Sequence, residues 1–329
     1  MSTKHAGRRR LYHYTDANGL LGIVNPSYWH LPPIKQNDDH HRAVKLLASD
    51  VRFMNDTEEL SFGAQLLRQY LHAAVVNPST PEDLRAAFAD IEPFLASDTV
   101  SSALDWPYRC LATCFCADGD LLSQWRGYAG GTGGFALGLD VDGLKQRSHA
   151  FHRNHGPNNF FQLGMNRLKL EKVVYGEANG MAAIEKHIES FSNSFWRDIL
   201  ASQDARARPR IQRTLFSLLV QALMTIKSDA FEEEHEWRLY TESDADWPVD
   251  VRARSNGLVP YVEIGVNMPL EQPDKPETKF DHDAQPTIID LVVGPGPTQP
   301  EQVLAAKELL KVTGHNPAVV RPSRVSYRG

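Results

Sequence analysis

The stretch Phe231-Glu-Glu-Glu-His-Glu-Trp-Arg-Leu-Tyr240 places four glutamates in five positions, directly ahead of an aromatic, a cation and an apolar pair. Residues 236–240 favour a strand, with Trp237 and Leu239 on one face and Glu236, Arg238 and Tyr240 on the other. Glu234 joins the Glu236 face if the strand starts early. A Glu-x-Glu pair opening a strand suits acid/base or cation-stabilising chemistry at a sheet edge. The same residues fit a second reading, a helix end whose last carboxylates face water while Arg238 pairs with one of them.

The 329 residues and 42% apolar content suffice for one large domain or a domain with a sizeable insertion. A net charge of −6 excludes a broadly basic nucleic-acid binder, although Arg8-Arg9-Arg10 and the run from Arg206 to Arg213 are locally basic. Three cysteines give no disulfide framework; Cys110, Cys114 and Cys116 share one face of a strand and read as buried small side chains. No apolar run follows Met1, and the longest uncharged apolar stretch, Leu215 to Ile226, is too short to span a bilayer. A soluble, cytoplasmic chain with no membrane partner is the expectation.

Outward from the acidic stretch, Arg9 to Thr15 alternates as a strand and Asp16 suits an N-cap for a short helix. Val51 to Asp56 reads as strand-like, Glu58 to about Val76 as a helix, and Thr80-Pro81 as the cap and first turn of another. Tyr108 to Cys116 is strongly apolar and suits a central strand; Leu121 to Tyr128 suits a short helix and Phe135 to Val141 the next strand. The glycines between them lack the Lys-Ser/Thr of a phosphate-binding loop. Leu168 to Tyr175 reads as a strand, and helical patterns at 180–201 and 208–229 read as an insertion packed on the sheet. Leu258 to Val266 and Thr287 to Val293 supply further strands, and 299–312 a final helix. Asp38-Asp39-His40-His41 and His149, His152 and His155 are weak metal candidates, since neither run fixes a coordination shell. The pattern is mixed α+β rather than doubly wound.

Four segments together carry a resemblance. Leu11-Tyr-His-Tyr-Thr15, Arg52-Phe-Met-Asn-Asp56, Ser123-Gln-Trp-Arg126 with Tyr128, and Glu234-His-Glu-Trp-Arg238 follow the pattern of a bacterial family of uncharacterised proteins. That family resembles the ADP-ribosyltransferase fold. The resemblance implies a single domain over 1–329, with a split mixed β-sheet, peripheral helices and a helical insertion at about 180–229. It implies NAD as substrate, with His13 on a ribose hydroxyl, Glu236 as catalytic glutamate and Glu234 as the second acid. His13, Tyr14, Thr15, Arg52, Ser123, Trp125, Arg126 and Tyr128 are the NAD-binding candidates.

The chemistry suits those side chains. Breaking the nicotinamide–ribose bond builds positive charge on the anomeric carbon, which a carboxylate gripping the ribose 2′-hydroxyl stabilises. Glu236 is the candidate for that role and Glu234 for accepting the nucleophile's proton. Tyr14, Trp125 or Tyr128 supplies a platform for nicotinamide, and Arg126 or Arg52 a partner for the pyrophosphate. Each also has a structural alternative: His13 and Trp125 as core groups, Arg126 as an ion-pair partner, Arg52 as part of a turn. The leading expectation is an ADP-ribosyltransferase of toxin or phage-defence type, acting on nucleic acid or protein and restrained by a neutralising antitoxin or sensor protein. NAD hydrolysis and a non-catalytic nucleotide- or nucleic-acid-sensing module are the alternatives.

Overall fold

The computed structural model describes residues 8–25, 43–54, 57–95, 108–128, 133–153, 160–162, 168–192, 215, 217–244, 249–254, 257–267, 287–315 and 318–325. Outside them lie residues 28–31, whose sequence suggests a second short strand, the Asp38–His41 run, Asn55-Asp56, most of the glycine loop, His155, the Arg206–Arg213 run and the helical pattern between 193 and 214.

The architecture is α+β, built on a mixed, largely antiparallel twelve-stranded sheet. In chain order its strands are β1 (Arg10–Thr15), β2 (Val44–Asp50), β3 (Tyr108–Cys116), β4 (Phe135–Asp140), β5 (Ser148–Arg153), β6 (Phe160–Gln162) and β7 (Lys169–Lys172). A two-residue pair, β8 (Val174–Tyr175) with β9 (Ile226–Lys227), stands apart as a small parallel sheet. The large sheet continues with β10 (Glu236–Asp244), β11 (Asp250–Arg254), β12 (Gly257–Val266), β13 (Ile288–Val293) and β14 (Val319–Pro322). The main path runs β14-β13-β4-β1-β3-β2-β12-β5-β6, with β10 joining β3 to β7 and β11 flanking β12.

β3 is the hub. One edge is paired along its whole length by β10, from Glu236–Cys116 to Asp244–Tyr108. The other edge is shared: β1 meets it at Cys116, and β2 meets it at Ala112 and Leu111. Between those contacts the strands fork. β3 can sit so deep because both faces are apolar, Leu111 and Phe115 on one and Cys110, Ala112 and Cys116 on the other.

The Leu111–Phe115 face, with Trp237 and Leu239, packs on Leu20, Ile23 and Val24 of α1 (Ala17–Val24) and on Ala306 and Leu310 of the final helix Gln299–Val312. Asp16 caps α1 as its sequence requires, accepting from Gly19 N–H at 2.7 Å. The opposite face carries two separate clusters. One gathers Cys110, Ala112 and Tyr240 under α2 (Thr57–Val76), α3 (Glu82–Ile91), the helix Glu177–Ser192 and the helical segment 217–223. The other sets Tyr12, Tyr14 and Cys116 against Trp125 of α4 (Leu122–Tyr128). Cys114 lies between the two clusters and is only partly buried.

The structure revises several expectations. Val51–Phe53 forms a 3-10 turn and the strand there is β2, seven residues earlier in onset than the strand-like reading at 51. Asp50 ends that strand by accepting from Arg52 N–H, which turns the chain. The helix after Thr80 starts one residue later, with Pro81 at the cap and no side-chain cap bond. The 168–175 strand breaks at Val173 into β7 and β8, and the second helical pattern gives way to β9 at Ile226. β5, β6, β11 and β14 have no counterpart in the sequence reading.

Candidate functional site

The acidic stretch is split by His235. Residues Asp229–Glu234 form a 3-10 turn, His235 takes a left-handed conformation at φ 45°, and β10 begins at Glu236. Left-handed backbone is uncommon for a residue with a Cβ. Here it turns the chain so that the last residue of the turn and the first of the strand both reach Lys227. Glu234 therefore does not extend the strand face; a shared cation brings it beside Glu236.

Lys227 Nζ lies 2.6 Å from Glu234 Oε2 and 2.8 Å from Glu236 Oε2, with the Phe231 ring 5.0 Å away. Arg238, two residues along the same face, donates from Nε to Glu236 Oε1 at 2.7 Å and from Nη2 to Oε2 at 3.1 Å. Its Nη1 donates to the Met224 carbonyl, and the Glu236 N–H donates to the Tyr175 hydroxyl at 2.8 Å. Burial alone would push the Glu236 pKa up. The charges of Arg238 and Lys227, with hydrogen bonds from Arg238 and the Cys114 thiol, outweigh it and hold the carboxyl at about 2. Glu236 is 5% exposed, whereas the Glu234 side chain is 22% exposed.

Cys114 links this cluster to the fork. Its thiol bonds Glu236, and its carbonyl oxygen lies 2.9 Å from His13 Nδ1. The His13 ring thus inserts where β1 leaves β3, edge-on to Phe115 at a 5.8 Å centroid separation. Burial, with the charges of Arg252 and Arg254, keeps His13 below the ordinary histidine pKa. Tyr128, on the last turn of α4, is 46% exposed. Its hydroxyl is nonetheless pushed above the usual tyrosine range by burial and by Cys114, Glu236 and Glu234. Glu234, Glu236 and Tyr128 therefore gather near the Cys114 thiol, whereas His13 meets the backbone carbonyl of Cys114 and packs on Phe115.

Other sequence candidates are placed elsewhere. Trp125 is 1% exposed, donates from Nε1 to Asp120 at 2.9 Å and packs edge-on against Tyr14 at 4.7 Å, so neither ring offers a stacking face. The Tyr14 hydroxyl donates to the Asp118 carbonyl and accepts from Leu121 N–H, which moors α4. Arg52 is held by Asp50 through two bonds, 2.9 and 2.6 Å, and does not reach the cluster. Thr15 ends β1 opposite Phe135, Arg126 is exposed on α4, and the Ser123 hydroxyl is buried without a hydrogen-bond partner among the described residues.

Lys227, Cys114 and Tyr175 belong to the site but carried no motif signal, whereas Arg238 stood in the motif and pairs with a glutamate as its second reading expects. A second group was also missed. Arg252 and Arg254 of β11 both donate to Ser49 Oγ, at 2.7 and 3.3 Å. The Val-Arg-Ala-Arg alternation was the available clue to that strand.

Among the described residues, no group of three or more His, Cys, Asp or Glu could hold a metal ion, and no helix is long and apolar enough to cross a membrane. No curated protein and no solved structure matches the chain. Residues 124–239, from α4 through the glutamate cluster to Leu239, are similar to the family described as Protein of unknown function (DUF2971).

Proposed function

We propose that the chain acts on NAD as an ADP-ribosyltransferase, moving ADP-ribose to a macromolecular acceptor, nucleic acid or protein. The supporting observation is the gathering of Tyr128 and the Glu234–Glu236 pair near the Cys114 thiol, at the gap between two helical clusters, with His13 on the backbone carbonyl of the same residue.

In this reading the bond between the ribose anomeric carbon and the nicotinamide nitrogen breaks, and its electron pair leaves with nicotinamide. The acceptor's lone pair forms the new bond at the anomeric carbon, and its proton passes to a carboxylate. This reading moves the charge-stabilising role expected of Glu236 to Glu234. Both Glu236 oxygens already accept from Arg238 and Lys227, so its part is to fix Lys227. Glu234, the more open carboxylate on the same cation, faces the developing charge. The half-exposed Tyr128 ring replaces Trp125 as the platform for nicotinamide.

The saturated Glu236 carboxylate favours a second reading, a nucleotide-binding module without turnover. Incubating the protein with NAD and cell lysate separates the two, measuring free nicotinamide and labelled ADP-ribose on macromolecules. Wild type, Glu234→Gln and Tyr128→Phe are compared. Label transfer that drops at least about a hundredfold in Glu234→Gln supports the transferase. Nicotinamide without label indicates hydrolysis, and intact NAD in every sample indicates the binding module.

A further inference from the structure

Six arginines among the described residues follow one rule, pairing with a carboxylate. Arg52 and Arg109 lie on Asp50, Arg147 on Asp140, Arg238 on Glu236, and Arg10 and Arg321 on Asp290. Arg252 and Arg254 depart from it. Their alternation on β11 puts both on one face, above Tyr261, whose ring lies 5.8 Å from the Arg252 guanidinium carbon. Both converge on the hydroxyl of Ser49, which is 3% exposed. No carboxylate pairs with either among the described residues, and Asp250, two positions before Arg252, forms no ion pair with it. Arg252 Nε is buried without a hydrogen-bond partner.

Two like charges drawn to one hydroxyl repel each other, and burial adds to the cost. Burial and the neighbouring Arg254 bring Arg252 down to about 10. Such an arrangement is relieved by an anion that accepts from both forks. Ser49 pairs with Ala112 of β3, so the arginines stand on the same sheet face as Cys114 and Glu236. Four residues along β3 and two strand spacings separate the Ser49 and Glu236 backbones, about 17 Å.

We propose that Arg252, Arg254 and Ser49 bind the diphosphate of a nucleotide. Two bidentate donors suit two linked phosphates better than one. A nucleic-acid backbone would call for a longer basic track with stacking platforms, at odds with a net charge of −6. The identity of the nucleotide as NAD rests on the proposed function; the anion site does not.

Calorimetric titration of the full chain with inorganic pyrophosphate, ADP and adenosine tests the proposal, alongside Arg252→Gln, Arg254→Gln and the double variant. Pyrophosphate and ADP are expected to bind and adenosine not to. Each single variant weakens binding at least about tenfold, and the double variant abolishes it. The unliganded double variant unfolds at or above the wild-type temperature, because repulsion is removed; a structural role for these arginines predicts the opposite. Arg252→Lys, which keeps the charge and loses the fork, weakens binding at an unchanged unfolding temperature. Absent binding by wild type, full binding by the double variant, or displacement of ADP by a single-stranded oligonucleotide at lower concentration than by pyrophosphate overturns the site. Diphosphate binding without nicotinamide release leaves the site standing and removes NAD chemistry. Nicotinamide release with an unchanged KM in the double variant does the reverse.

Discussion

Lys227 Nζ sits 2.8 Å from Glu236 Oε2, with 3% and 7% of the two side chains exposed. Removing one partner of such a pair strands a buried charge. Glu236→Gln leaves both Lys227 and Arg238 uncompensated and is expected to cost about 3–5 kcal/mol. Glu234→Gln, at a more open position, costs about 1 kcal/mol. Urea unfolding of the two variants measures the difference; equal losses would mean that Glu236 is no more an anchor than Glu234.

Acid should reveal the same anchor. Arg238 and Lys227 overcome burial and hold the native Glu236 carboxyl at about 2, below the ordinary glutamate value of about 4.5. A depressed native pKa stabilises above the unfolded value, and that contribution disappears as pH falls through the native one. Unfolding free energy is therefore expected to fall between about pH 4.5 and 2, and the slope in that window to flatten in Glu236→Gln. An unchanged slope would remove Glu236 from the acid transition.

His13 gives a second window. Its native pKa lies below 6.5 because of burial, with Arg252 and Arg254 adding repulsion despite the bond to the Cys114 carbonyl. The unfolded chain takes up the proton first, so stability declines as pH drops below about 6.5. His13→Asn should lessen that decline. Proton-detected NMR should show the His13 ring protonating at lower pH than a histidine of the unfolded chain; a midpoint at or above the unfolded value would contradict the buried setting.

The left-handed His235 sets a backbone requirement that its side chain does not. His235→Gly is expected to leave stability within about 1 kcal/mol, whereas His235→Val costs about 1–2 kcal/mol more, since a branched Cβ resists that conformation. Thermal unfolding of both variants checks the order.

Gly294 is fixed by a different constraint. A Cβ there would stand 2.9 Å from Trp125 Cε3 and 3.1 Å from Gly134 N. Gly294→Ala should cost about 1–3 kcal/mol by overpacking, read as a lower urea midpoint; no loss would show that Trp125 can shift.

What was legible in the sequence followed local pattern. The alternation of Glu236-Trp-Arg-Leu-Tyr240 fixed which side chains share a face, and the apolar run 108–116 fixed the central strand. β2 hid because Lys45 interrupts its apolar run, and its buried pairing with Glu263 at 2.8 Å makes that lysine tolerable. β11 hid because alternating arginines resemble a solvated edge. The Lys227 bridge was invisible for another reason. It depends on a left-handed residue and on a strand of two residues, and neither leaves a periodic trace.

Asp120, which holds the Trp125 indole, also accepts from the Ser323 hydroxyl and from the Arg324 N–H at 2.7 Å. That latch joins positions about two hundred apart, so a ribosome must pass residue 324 before the brace under α4 exists. A nascent chain that ends between residues 240 and 323 carries the glutamates without the finished wall beside them, so synthesis leaves the Asp120 brace until last.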